Sequence, residues 1–165
     1  MNQDLTKKLI NTWDWLNSYC LSKRDDKELA CGQHAVCIVQ IDNFAKIRKS
    51  WDNKKPESVL KSMESIMENY AMDDNLIARY NESTFVVILH YLESRSEIIE
   101  MCEEIKYAIN EAKLGGDIPI TVSIGASVCR HDPTQGYKCA MQYALEALAK
   151  AHTEEDSIEL SDVIR

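Results

Sequence analysis

Apolar positions along this chain change their spacing several times, and each change marks an element. Between residues about 4 and 21, Leu5, Leu9, Trp13, Leu16 and Cys20 recur at helical spacing with Trp15 and Tyr19 near the edges of the stripe, which predicts an amphipathic N-terminal helix. The charged stretch Ser22 to Glu28 reads as its solvated end or a linker, so the chain divides into an N-terminal helix and linker over 1–30 and a domain over 31–165. Ala35 to Ile41 is short, apolar and largely β-branched, the pattern of a strand buried on both faces. A short helix is expected near Phe44 to Lys49. Beyond Pro56, which suits a helix start because its missing N–H would lack an intrahelical partner there, Val59, Leu60, Met63, Ile66, Met67 and Tyr70 keep helical spacing.

Two runs of β-forming residues, Leu76 to Tyr80 and Phe85 to Leu89, then flank the short polar stretch Asn81-Glu82-Ser83-Thr84, which predicts a hairpin. Ile98, Met101, Cys102, Ile105, Ala108, Ile109 and Ala112 mark a helix from about 95 to 113, stopped by Gly115-Gly116 in the position that tolerates positive φ. Ile118 to Cys129 alternates, with Ile118, Ile120, Val122, Ile124, Ala126 and Val128 on one face and Thr121, Ser123 and Ser127 on the other, as in a long strand with one less apolar face. A last helix over about 136 to 152 carries Met141, Ala144, Leu145 and Leu148, and Ser157 to Leu160 closes the sheet as an edge strand. The order helix, β, α, β, β, α, β, α, β predicts an α/β fold: an α+β sandwich with a ferredoxin-like βαββαβ core, one extra helix and one extra strand.

The charge balance, 19 basic against 27 acidic side chains for a net of -8, argues against non-specific attraction to nucleic acid or anionic lipid. No apolar run approaches the roughly 18 residues of a spanning helix, and the N-terminus lacks a signal-type core, so a soluble cytoplasmic protein with no membrane partner is expected. The six cysteines show no CxxC spacing and His34, His90, His131 and His152 are scattered, so no zinc site is predicted. Cys37 and Cys102 read as small buried hydrophobes in a reducing compartment.

The hairpin also carries a resemblance. Arg79, Tyr80 and Phe85 stand where the GGDEF (diguanylate cyclase) family has the flanking residues of Arg-Tyr-Gly-Gly-Asp/Glu-Glu-Phe, while Asn81, Glu82, Ser83 and Thr84 replace the glycines and both acids. Thr121-Val122-Ser123-Ile124-Gly125-Ala126 is similar to that family's Thr-Val-Ser-Ile-Gly-Val/Ala, and Ile41-Asp42-Asn43-Phe44-Ala45-Lys46-Ile47 to its Asp-Ile-Asp-x-Phe-Lys-x-Ile-Asn. The resemblance covers roughly 35 to 160 and implies a nucleotide-cyclase-like fold. It also implies joining of two GTP molecules into cyclic di-GMP, assisted by carboxylate-held divalent metal, which needs hard anionic oxygens.

The residues that would perform that chemistry are replaced. By the same alignment Gln40 falls where the first metal-binding Asp belongs, Ser83 on the other metal-binding acid and Arg48 on the guanine-reading Asn, whose paired donor and acceptor a guanidinium cannot reproduce. Glu82 brings bulk and negative charge toward a polyphosphate, whereas Asn81 tolerates a left-handed turn. Lys150 or His152 stands for a phosphate-binding Lys, the corresponding Arg falls within Glu154-Glu155-Asp156, and Met72-Asp73-Asp74-Asn75 replaces the Arg-x-x-Asp of the feedback site. Asp42 reads either as a remnant metal ligand or as a strand-end carboxylate capping the next helix. Arg79 reads as a surface pair partner, and Phe44 and Phe85 as core. Lys46, Arg48, Lys49, Lys54 and Lys55 around Trp51 read as a solvated helix end rather than an RNA site.

The expectation is a catalytically inactive GGDEF-like signalling domain with no catalytic residue, no metal site and no cofactor, Mg²⁺ entering only with residual nucleotide binding. Its partner is another protein or itself, with the N-terminal helix as a route to a homodimer. The rival readings are a non-catalytic nucleotide or cyclic dinucleotide sensor, with Lys46, Arg48 and Lys150 as contacts, and a weakly active cyclase or hydrolase using Asp42 and Glu82.

Overall fold

The apolar runs of the sequence become the strands of one sheet. A computed structural model describes residues 11–12, 14, 33–51, 55–70, 75–92, 94–130 and 138–161. Its strands are β1 (Asn11–Thr12), β2 (Gln33–Ile41), β3 (Leu76–Asn81), β4 (Thr84–Leu92), β5 (Val122–Arg130) and β6 (Ile158–Leu160). Among the described residues the helices are α1 (Phe44–Arg48), α2 (Lys55–Glu68), α3 (Arg95–Ala112) and α4 (Lys138–His152). The sheet order is β1-β3-β4-β2-β5-β6. Strand β2 is antiparallel to both β4 and β5, and β4 to β3, while β6 runs parallel to β5 and β1 parallel to β3. Each of the two crossovers, β2 to β3 through α2 and β4 to β5 through α3, leaves one strand between its ends, which is the ferredoxin-like arrangement.

Period-2 alternation sends successive side chains of the central strands into two cores. Ala35, Cys37, Val39 and Ile41 of β2 and Phe85, Val87 and Leu89 of β4 pack with Met63 and Met67 of α2 and Ile98, Cys102, Ile105 and Ile109 of α3. On the opposite face Val36, Ile38, Val86 and Ile88 meet Ala140, Met141, Ala144 and Leu148 of α4. Burial on both faces is why these strands read as continuous apolar runs. Cys37 and Cys102 lie within the first core, neither of them in a disulfide, and Phe44 and Phe85 are core residues as well.

Strand β5 turns Val122, Ile124, Ala126 and Val128 toward the first core and the small residues Ser123, Gly125 and Ser127 toward α4. A Cβ at Gly125 would lie 2.2 Å from Leu148 N and 2.4 Å from Ala144 O, so only glycine lets the helix backbone lie this close. Ser127 Oγ donates to Ala140 O at 2.6 Å and fastens the start of the same helix.

Three expectations change. The strand expected from Ile118 begins at Val122: beyond the Ile41 to Val122 pair the pairing continues only through Asp42 N donating to Thr121 O at 2.9 Å, and Pro119 has no N–H to donate. Helix α3 ends on a left-handed residue, as expected, but that residue is Lys113 (φ 48°), with Gly116 (φ 64°) completing the turn behind it. The N-terminal helix is not continuous: Asn11–Thr12 is extended and pairs with the open edge of β3, whose backbone groups offer a ready ladder. Asp14 is helical and exposed, and the rest of that expected helix lies outside the described residues.

Candidate functional site

The C-terminal end of β2, helix α1, the β3–β4 turn and the end of α4 enclose a cleft of about 800 Å³. Register places the turn there: Gln40 pairs with Thr84, and Ile41 N donates to Ser83 O at 3.1 Å. The turn tightens through Ser83 N donating to Asn81 Oδ1 at 3.1 Å, a side-chain mimic of a backbone turn, and none of residues 81–84 has positive φ. Asn81 thus closes the turn without the left-handed conformation open to it.

Asp42, 2% exposed, follows β2 and is buried behind the residues that line the cleft. Its Oδ2 accepts from Thr121 Oγ1 at 2.6 Å and from Asp156 N at 2.9 Å, and its Oδ1 accepts from Ser123 Oγ at 2.5 Å. His152 Nδ1 lies 3.3 Å from the same Oδ1, and His152 Nε2 bonds Gln40 Oε1. Gln40 Nε2 in turn donates to Thr84 Oγ1 at 2.8 Å. A continuous polar chain therefore ties β2, β4, β5 and α4 together. The expected capping role is corrected, since α1 begins at Phe44 and its N-cap position is Asn43, itself left-handed (φ 54°), with no side-chain cap. Asp42 points instead to β5 and to the loop after α4, where distant hydroxyls and an N–H donate to it.

That loop is held firmly. Glu155 (φ 55°) and Asp156 (φ 44°) are both left-handed, a conformation that costs roughly 1–2 kcal/mol for a residue with a Cβ. Asn43 Nδ2 donates to Glu155 Oε1 at 2.7 Å and Lys106 Nζ to Asp156 O at 2.5 Å, which offset part of that cost.

Across the cleft Arg48 and Glu82 form an ion pair, each side chain about half exposed. Phe44 packs edge-on against Trp51, their ring centroids 6.3 Å apart. Lys46 and Lys49 also line the cleft. Lys150 does not: two residues from His152 it is turned about 200° around the helix and is exposed, so His152 is the residue delivered to the site. Arg79, behind the hairpin, lies 2.5 Å from Glu64 Oε1 without hydrogen-bond alignment and 5.4 Å above the Phe85 ring. Lys54 and Met72-Asp73-Asp74 lie outside the described residues.

These donors do not fit a divalent metal. Both Asp42 oxygens are committed to the chain's own donors, Gln40 and Ser83 are neutral, and Glu82 is held by Arg48. Among the described residues no three His, Cys, Asp or Glu side chains converge as a metal would need. The sequence reading missed the joint role of Thr121, Ser123 and His152. The polar alternation at 121 and 123 was the available signal, but nothing local pointed it at Asp42.

The sequence matches the family described as diguanylate cyclase, GGDEF domain, over residues 17–157. It is 27% identical over 141 residues to a probable diguanylate cyclase, DgcT, of Escherichia coli (strain K12), a match spanning 79% of this chain but 30% of DgcT. The fold is similar to the GGDEF domain of DgcB from Caulobacter crescentus, solved in complex with c-di-GMP, at a TM-score of 0.78 with 18% identity over 93% of this chain and 90% of that one. It is also similar to the diguanylate cyclase SiaD of Pseudomonas aeruginosa, solved with its activator SiaC, at a TM-score of 0.77 with 15% identity over 97% of this chain and 65% of that one. The chain spans under a third of the length of DgcT, and among its described residues no helix is long and apolar enough to cross a membrane. Hairpin, long strand, sheet order and family match agree, and this chain belongs to the GGDEF diguanylate cyclase family.

Proposed function

We propose that this domain serves cyclic di-GMP signalling without making cyclic di-GMP, acting through a protein partner or a second copy of itself. One observation carries the reading: the single acid retained at the end of β2, Asp42, spends both carboxylate oxygens on Thr121, Ser123 and Asp156 N. Gln40 and Ser83, the neutral residues at the other metal positions, add no anionic oxygen, so no carboxylate set is left to hold the divalent metal that would assist attack on a reacting phosphate. The architecture around them is intact, with two cores and a paired hairpin, as expected of a scaffold kept for contact rather than turnover. The test is incubation of the purified chain with GTP and Mg²⁺ or Mn²⁺, with chromatography of the products. No cyclic di-GMP above a protein-free blank is expected. Sustained formation that falls in a Ser83→Ala variant overturns the proposal.

A further inference from the structure

The cleft is electropositive on an acidic molecule. Lys46, Arg48 and Lys49 line it, and Glu82 is the single carboxylate among the lining residues, in a chain of net charge -8. Neither lysine pairs with a described carboxylate, whereas Arg48 is held by Glu82. A guanidinium presents a planar donor fork that takes a carboxylate or a phosphate in the same geometry. Glu82 also stands on a turn fastened by Ile41 N to Ser83 O and by Ser83 N to Asn81 Oδ1, so its carboxylate is presented from a fixed place.

We propose that this cleft is an oxyanion-binding site occupied from within: the Glu82 carboxylate acts as an intramolecular ligand of Arg48 and holds the site against external phosphate. The pair is also the wall between two cavities, because Arg48 and Glu82 line a second one of about 430 Å³. There Glu57 and Glu64 balance Lys61 and Arg79, so the excess positive charge is on the α1 side and an anion approaches from that side. An incoming polyphosphate meets the negative charge of Glu82 and must also displace it from Arg48. Each effect is modest for half-exposed groups, but a ligand carrying several charges feels both at once. The inference goes beyond the lack of cyclase turnover: cyclic di-GMP formation would overturn the earlier proposal and leave this one standing.

The experiment is calorimetric titration of the full chain with tripolyphosphate and, in parallel, with GTP, using the unaltered protein, Glu82→Gln, and Glu82→Gln combined with Arg48→Gln. Both side chains are half exposed, so the variants keep the fold. Glu82→Gln is expected to bind tripolyphosphate about tenfold more tightly than the unaltered chain, with a similar gain for GTP, because the shared phosphate chemistry is what is recognised. The gain should shrink as salt is raised and disappear when Arg48→Gln is added. Equal affinity of Glu82→Gln and the unaltered chain overturns the proposal. So does a gain that survives Arg48→Gln, or one seen for GTP and absent for tripolyphosphate.

Discussion

A carboxylate at the end of a strand is compatible with a metal ligand, a helix cap or an internal acceptor, and Asp42 is the third because of what surrounds it. Two hydroxyls and one N–H donate to its oxygens, from Thr121, Ser123 and Asp156. Replacing it by Asn keeps the shape but turns one acceptor into a donor that faces donors. The expected cost of Asp42→Asn is about 2–4 kcal/mol, since a buried network loses an acceptor and leaves its partners unsatisfied. Urea unfolding of the two proteins measures it, and a loss below roughly 0.5 kcal/mol would refute the internal-acceptor role. The identity of this residue and its position after an apolar run were plain in the sequence. Its partners were not, because the nearest of these three donors, Thr121, is 79 positions away in the chain. The same holds for Glu82, whose negative charge was legible but whose pairing with Arg48 was not.

At the level of elements, period alone located most of the structure. Helical spacing in 95–112 and continuous apolar runs at 35–41 and 85–89 became α3, β2 and β4. Errors came where a local signal competed with pairing: the alternation from Ile118 continues past the end of the neighbouring strand, and Gly115-Gly116 drew attention from Lys113. Gly125 looks from the sequence like one small residue in a strand, and its reason becomes visible only when α4 is laid on β5. Gly125→Ala places a Cβ 2.2 Å from Leu148 N, so the helix must shift or the strand bend. We expect a loss of about 2–3 kcal/mol, read as a lower urea midpoint with an unchanged slope. A neutral result would mean that α4 stands farther from the sheet than described.

On the scale of the whole molecule, one sheet carries two cores, with α2 and α3 on one face and α4 on the other. Ile105 belongs to the first and Ile38 to the second, so Ile105→Val and Ile38→Val should each cost about 1 kcal/mol and add within roughly 0.5 kcal/mol. Unfolding followed by fluorescence and by circular dichroism should coincide in the double variant, because both cores share β2 and β4. Separate transitions would show instead that the α4 layer melts by itself. Hydrophobic period settled which segments are strands and helices, since that period is a property of local backbone geometry. The replaced signature at Asn81 to Thr84 was equally readable, being a matter of residue identity. Topology alone decided that His152 meets Gln40 across 112 positions and that Arg48 meets Glu82 across 34. Such contacts follow from strand order and crossover direction, and many arrangements of the same elements would bury the same apolar faces.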